Sequence, residues 1–191
     1  MKRMNDDQRQ IVLGTLLGNG FICRSNSNSY LCIQHSRKYV DYFKSKAKDL
    51  ESLSRTNPWY FRRNIIGWRS SCDTIWDYYR ALCYQGEDKV VNENWLHPLR
   101  DIGLAVWYQD CGCLAGYRNR NACLRTQIFG EEGNKLIAKY FNEMGFDCKV
   151  NKSRKSWVIL FSVASTEKLF KVIAHWIHPS LYYKLERNID A

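Results

Sequence analysis

Residues 104–112 read LAVWYQDCG, and residues 12–20 read VLGTLLGNG. Each is an apolar run that closes on a small or polar pair and then a glycine. The closing glycines, Gly20 and Gly112, stand 92 positions apart. An apolar run of this length predicts a helix, and a glycine just past its end stops it. One short chain therefore writes the same helix-stopping phrase twice, and the residue before the last glycine differs: Asn19 in one copy, Cys111 in the other.

Reading outward from the first phrase, Ile11, Leu13, Leu16 and Leu17 give an apolar helical pattern over Asp6–Gly18, with Asp6 and Asp7 suited to the helix N-terminus. Strands follow at Phe21–Arg24 and Tyr30–Gln34, joined by the turn SNSNS. A helix is predicted over Arg37–Leu53, a hairpin over Trp59–Arg63 and Ile65–Ser70, and a helix over Asp73–Tyr84. The polar stretch QGEDKVVNEN lacks a hydrophobic period and reads as a linker. The order then restarts, with a helix over Leu99–Asp110 and strands over Cys113–Tyr117 and Ala122–Ile128. A helix over Glu131–Met144, a hairpin over Phe146–Asn151 and Trp157–Phe161, and a helix over Thr166–Trp176 complete it. Seven elements recurring in order imply an internal duplication: residues 1–84 form one αββαββα repeat, 85–98 a linker and 99–191 the second repeat. The fold class is α+β. Gly14 and Gly18, four apart, let the two phrase helices pack closely, with Ala105 in a comparable place on the second. That packing brings residues 19 and 111 together at a pseudo-twofold axis, with an antiparallel sheet on either side forming a saddle.

The chain has 191 residues, 45% of them hydrophobic and 14% aromatic, enough for a sizeable core. Lys and Arg number 29 against 19 acids, a formal charge of +10. That excess points to a polyanionic partner, nucleic acid before an anionic membrane. No apolar stretch approaches a membrane span, and MKRMNDDQRQ resembles neither a signal peptide nor a transit peptide. The expected location is the compartment of translation: the cytoplasm, or an organelle that encodes the chain itself, mitochondrion or plastid. The eight cysteines contain no C-x-x-C pair, so they read as reduced core thiols rather than zinc ligands. His35, His97, His175 and His178 show no ligand spacing. Trp59, Tyr60, Trp68 and Trp157 read as core or sheet-packing residues rather than base-stacking platforms.

With VLGTLLGNG and LAVWYQDCG stand SYLCIQHSRKYVDYF after the first phrase and ENWLHPLRDIG leading into the second, then LRTQIF and the terminal IHPSLYYKL. Together these resemble the LAGLIDADG homing endonucleases in their single-chain, two-repeat form, over nearly the whole chain. The resemblance implies a long DNA target lying across two sheets. It also implies an acid at the eighth position of each motif to hold the Mg²⁺ ions that drive cleavage of both strands. Here those positions are Asn19 and Cys111, and neither is a carboxylate. A neutral amide and a soft sulfur are poor Mg²⁺ donors.

Asp110, at the seventh position, is turned about 100° away along the helix. It reads as a helix-end or solvent residue more than a substitute acid. Gln34 and Gln127 stand at matching points of the repeats, either as water-organising or base-reading groups, as the resemblance implies, or as solvent-facing glutamines. Arg24, Arg62, Arg63, Arg69, Arg118, Arg120, Arg125, Lys149, Lys152 and Lys155 lie on predicted strands and turns, where they can meet phosphates or guanine edges. The reading that follows is a nucleic-acid-binding descendant without cleavage and without a cofactor. Its ligand would be structured RNA, as an intron-splicing cofactor or ribonucleoprotein subunit, or DNA, bound by a monomer or inside a larger assembly. Alternatives are a Mg²⁺-dependent endonuclease that breaks or nicks DNA, and a DNA-binding regulator.

Overall fold

A computed structural model describes residues 4–26, 28–153 and 156–186, apart from the side chains of 55–58 and 153. The first repeat runs α1 (Asp6–Leu17), β1 (Gly20–Cys23), β2 (Tyr30–Ser36), α2 (Val40–Asp49), β3 (Ser54–Arg62), β4 (Ile65–Ser70) and α3 (Thr74–Cys83). A small hairpin, β5 (Tyr84–Gln85) with β6 (Asp88–Lys89), and a short helix α4 (Glu93–Leu96) lead to the second repeat. That repeat runs α5 (Asp101–Cys111), β7 (Gly112–Ala115), β8 (Asn121–Leu124), α6 (Gly130–Glu143), β9 (Cys148–Ser153), β10 (Ser156–Phe161) and α7 (Val163–Ile173). The sheets share one topology, β1-β2-β4-β3 and β7-β8-β10-β9, antiparallel throughout. The architecture is the α+β saddle of two αββαββα repeats about a two-helix interface. No helix among the described residues is long and apolar enough to cross a membrane.

The stretch read as a linker is firmly packed. Trp95 and Leu96 of α4 are fully buried, and the Trp95 indole donates to the Leu13 carbonyl of α1 at 3.3 Å. Polar composition hid this because the anchors are few and large.

Helix α1 begins in a capping box, Asn5 accepting the Gln8 N–H at 2.8 Å while Gln8 accepts from the Asn5 N–H at 3.3 Å. From Ile11 to Leu17 every residue is buried, as is every residue from Ile102 to Gln109 on α5. Helices apolar on all sides belong in the middle of a fold, and these two form its axis. Their close approach falls on Gly14 and Gly103, where a methyl on Gly14 would collide with the Gly103 carbonyl. Ala105, assigned that role from sequence, is buried elsewhere on α5.

Several boundaries differ from expectation. The segment read as one helix over Arg37–Leu53 is α2 flanked by 3-10 turns at Arg37–Tyr39 and Glu51–Leu53. The final helix starts and ends earlier than Thr166–Trp176 and closes in a 3-10 turn at Ala174–Trp176. The strand read over Ala122–Ile128 stops at Leu124, because the chain turns into a 3-10 segment at Gln127–Phe129. There the Asn134 amide of α6 donates to the Thr126 carbonyl at 2.9 Å and bends the backbone out of the sheet.

Candidate nucleic-acid interface

Side chains on a strand alternate between the sheet's two faces. On β2, Leu31, Ile33 and His35 turn into the core, which leaves Cys32 and Gln34 on the open face. Tyr60, opposite Gly67, lays its ring over that glycine, where a side chain would collide with it. The ring's hydroxyl accepts from the Gln34 amide at 2.7 Å, and the Arg69 guanidinium stacks 4.5 Å from its centroid. Gln34, Tyr60 and Arg69 thus form one polar cluster on the open face; Tyr60, read from sequence as packing, is its hub. Trp68 is fully buried as expected, and Trp59 packs on Phe43.

Gln127 is not the partner of Gln34. Ile33 pairs with Gly20 and Leu124 with Gly112, so the residue following each is the equivalent, Gln34 in one repeat and Arg125 in the other. Gln127 lies beyond the strand end, on the wall of the central cavity. A shared Q in LCIQHS and LRTQIF misled because the second strand is shorter.

Lys149 and Lys152 part company on β9. Cys148 reaches the α6 backbone and Val150 packs on the core, so alternation puts Lys152 with them, and its ammonium sits 5.0 Å over the Trp157 ring. Lys149 faces the open side. Arg62 follows Tyr60 onto the open face, and Arg63 forms the hairpin turn with φ 49°. Arg118 and Arg120 flank the β7–β8 turn. Arg24 lines a cleft against Asp77 and Arg80 of α3. Lys155 lies outside the described residues.

At the saddle's centre, between the tips of α1 and α5, is a cavity of about 610 Å³ walled by Asn19, Lys38, Tyr39, Asp110, Cys111, Arg125 and Lys184, among others. Asn19 is exposed, and its amide donates to the Asp110 carbonyl at 3.3 Å. The Cys111 thiol turns back to the Trp107 carbonyl, 3.4 Å away, and burial pushes it up to about 12, so it is neutral. Asp110 is not the solvent residue read from sequence: its side chain is fully buried. One carboxylate oxygen accepts from Lys46 at 2.7 Å and from the Tyr42 hydroxyl at 2.8 Å, with His35 3.5 Å away. The other accepts the Asn19 backbone N–H at 3.0 Å. Burial alone would raise the carboxyl, but Lys46 holds it below its ordinary range. A methyl on Gly18 would collide with Asp110, so the glycine makes room for this carboxylate. Every oxygen of the nearest carboxylate is already used by the protein. This donor set does not suit Mg²⁺, which asks for free carboxylate oxygens.

Two lysines missed by the sequence reading complete the centre. Lys89 of β6 donates to the Leu16 carbonyl at 2.7 Å and to the Gly20 carbonyl, and Lys184 donates to the Gln109 carbonyl at 2.6 Å. They cap the C-terminal ends of α1 and α5 in matching fashion, where a helix leaves its carbonyls unsatisfied. Burial lowers both, Lys89 to about 8. The only sequence signal was the K in IHPSLYYKL; the K of GEDK lay in a stretch read as linker.

The duplicated repeats, paired open sheets and central helix tips make a two-repeat α+β saddle. Residues 9–169 match the LAGLIDADG DNA endonuclease family, and the chain belongs to it. It is 31% identical over 121 residues to a probable intron-encoded DNA endonuclease 3 of Mycosarcoma maydis, covering 62% of this chain and 88% of that protein. It is 27% identical over 199 residues to a RecA protein of Mycolicibacterium flavescens, covering 96% of this chain but 47% of the relative, so it spans about half the length of that protein. The homing endonuclease I-WcaI bound to its DNA recognition sequence superposes with a TM-score of 0.86 at 18% identity, covering 99% of this chain and 90% of that one. I-DmoI in complex with DNA and Mn superposes with a TM-score of 0.54 at 10% identity, covering 88% and 96%.

Proposed function

We propose that this chain grips duplex DNA along its two open sheets and does not cut it. The observation that carries the reading is the chemistry at the helix tips. Asn19 and Cys111 bring no negative charge, Cys111 is turned into its own helix, and the one nearby carboxylate among the described residues is spent on Lys46, Tyr42 and the Asn19 N–H. Lys38 and Arg125, both exposed, line the same cavity, so a backbone phosphate meets cations directly where a metal ion would otherwise bridge it. Neutralising phosphates releases counterions and supports binding without a divalent ion. The DNA-bound state of I-WcaI and I-DmoI supports duplex DNA as the ligand.

The test incubates the protein with Mg²⁺ or Mn²⁺ and DNA from the locus that surrounds its own coding sequence. Intact DNA with retained binding in EDTA is the expected result; site-specific nicks or breaks overturn the reading. Competition between that duplex and structured RNA from the same locus, at fixed salt, decides the ligand. Preferential RNA binding would make the chain a splicing cofactor or ribonucleoprotein subunit. The double substitution Asn19→Asp with Cys111→Asp tests the chemistry directly, because metal-dependent cleavage gained by it assigns the deficiency to those two positions.

A further inference from the structure

Eight cysteines are free in this chain, and four of them meet in pairs on the sheets, in each pair one half-buried thiol, Cys23 or Cys113, beside a buried one, Cys32 or Cys123. The sulfurs of Cys23 and Cys32 lie 3.6 Å apart across β1 and β2. In the second repeat Cys113 and Cys123 stand directly opposite each other on β7 and β8. Cys32 and Cys123 hold equivalent places, each one residue before the partner of the motif glycine, Ile33 with Gly20 and Leu124 with Gly112. Each pair also has a guanidinium beside it: Arg69 is the register partner of Cys32, and Arg125 acts on Cys113. Each half of the saddle therefore carries one dithiol and one arginine, built around the equivalent Cys32 and Cys123 but with partners at different positions of the repeat.

We propose that each pair is a reversible oxidation site, in which a hydroperoxide converts the two thiols of a hairpin into a cross-strand disulfide. The thiolate of Cys23 attacks a peroxide oxygen, the O–O bond breaks and hydroxide leaves, giving a sulfenic acid on Cys23. The Cys32 sulfur then attacks that sulfur, and its proton departs with the hydroxyl as water. Two thiols and one hydrogen peroxide yield one disulfide and two waters; Cys113 and Cys123 react in the same way. Cys23 and Cys113 are the attacking groups. The neighbouring thiol favours the thiolate in each, more than burial opposes it, and the arginine adds to the effect. Cys83, Cys111 and Cys148, by contrast, are pushed up by burial. Residues directly opposite on antiparallel strands fall within the Cα separation that a disulfide accepts, roughly 4.4–6.8 Å. The diagonal pair Cys23 and Cys32, whose sulfurs already touch at 3.6 Å, must close to about 2.05 Å to bond. A monothiol such as glutathione reverses both links by exchange.

The experiment treats the protein, free of nucleic acid, with hydrogen peroxide and maps its peptides without reduction. Expected are a mass loss of about 4 Da, two hydrogens per bond, with 23–32 and 113–123 linkages that dithiothreitol reverses. Thiols left unlinked, links between other cysteines, or a link in one hairpin alone overturn the proposal. Cys32→Ser and Cys123→Ser, which remove the second sulfur, are expected to leave a sulfenic acid on Cys23 and Cys113 that dimedone traps. Labelling concentrated on the exposed Cys72 instead would also overturn it. Because no nucleic acid is present, the outcome is independent of what the saddle binds.

Discussion

Asp110 concentrates what a single residue can decide in this protein. A carboxylate with no exposed surface, held by an ammonium 2.7 Å away, is stable only while both partners remain. Lys46→Met strands the charge and should lower unfolding free energy by about 3–5 kcal/mol; denaturant titration at neutral pH checks it. His35 sits in the same nest. Its burial, with Lys46 nearby, lowers it to about 3 from an ordinary 6.5. Because the folded value lies below the unfolded one, the unfolded chain takes the proton first. Stability should therefore fall as pH drops from about 6.5 towards 3. His35→Gln should flatten that decline, measured as denaturation midpoints between pH 7 and pH 4; an unchanged slope would refute the assignment. None of this was legible in sequence. Asp110 reads as a helix-end acid because its partners, Lys46 and Tyr42, are 64 and 68 residues away.

At the scale of elements, the two central helices behave as one unit. Gly14 meets the backbone of Gly103, so a methyl added there has no flexible side chain to push aside. Gly14→Ala should destabilise by about 1–3 kcal/mol through overpacking, whereas Gly86→Ala, with open space around its Cβ site, isolates the cost of losing a positive φ. Thermal midpoints of the two variants separate the effects. The helices themselves were readable because they are long and apolar with glycine stops. The strand after the second motif was not: its end is set by Asn134, a residue of the following helix, through hydrogen bonds to Thr126. That contact shifted the equivalence of Gln34 from Gln127 to Arg125.

For the whole molecule, the formal charge of +10 matters through where it is displayed. Lys149 and Lys152 are three residues apart on one strand yet face opposite sides. Lys149→Ala should reduce the slope of log K against log salt by about 1, and Lys152→Ala should leave it nearly unchanged. Fluorescence anisotropy over a salt series with a duplex probe decides; equal slopes would place the DNA elsewhere.

By itself the sequence determined the duplication, the α+β class, the family and the absence of acids at positions 19 and 111. These are local matters, written as periodicity, glycine stops and residue identity within each repeat. Tertiary structure alone decided which charges are spent and which are offered. Asp110 is neutralised by Lys46, the helix ends are capped by Lys89 and Lys184, and the open faces collect Gln34, Tyr60, Arg69 and Arg125. The reason is that charge pairing and burial act through space, between groups the chain keeps far apart.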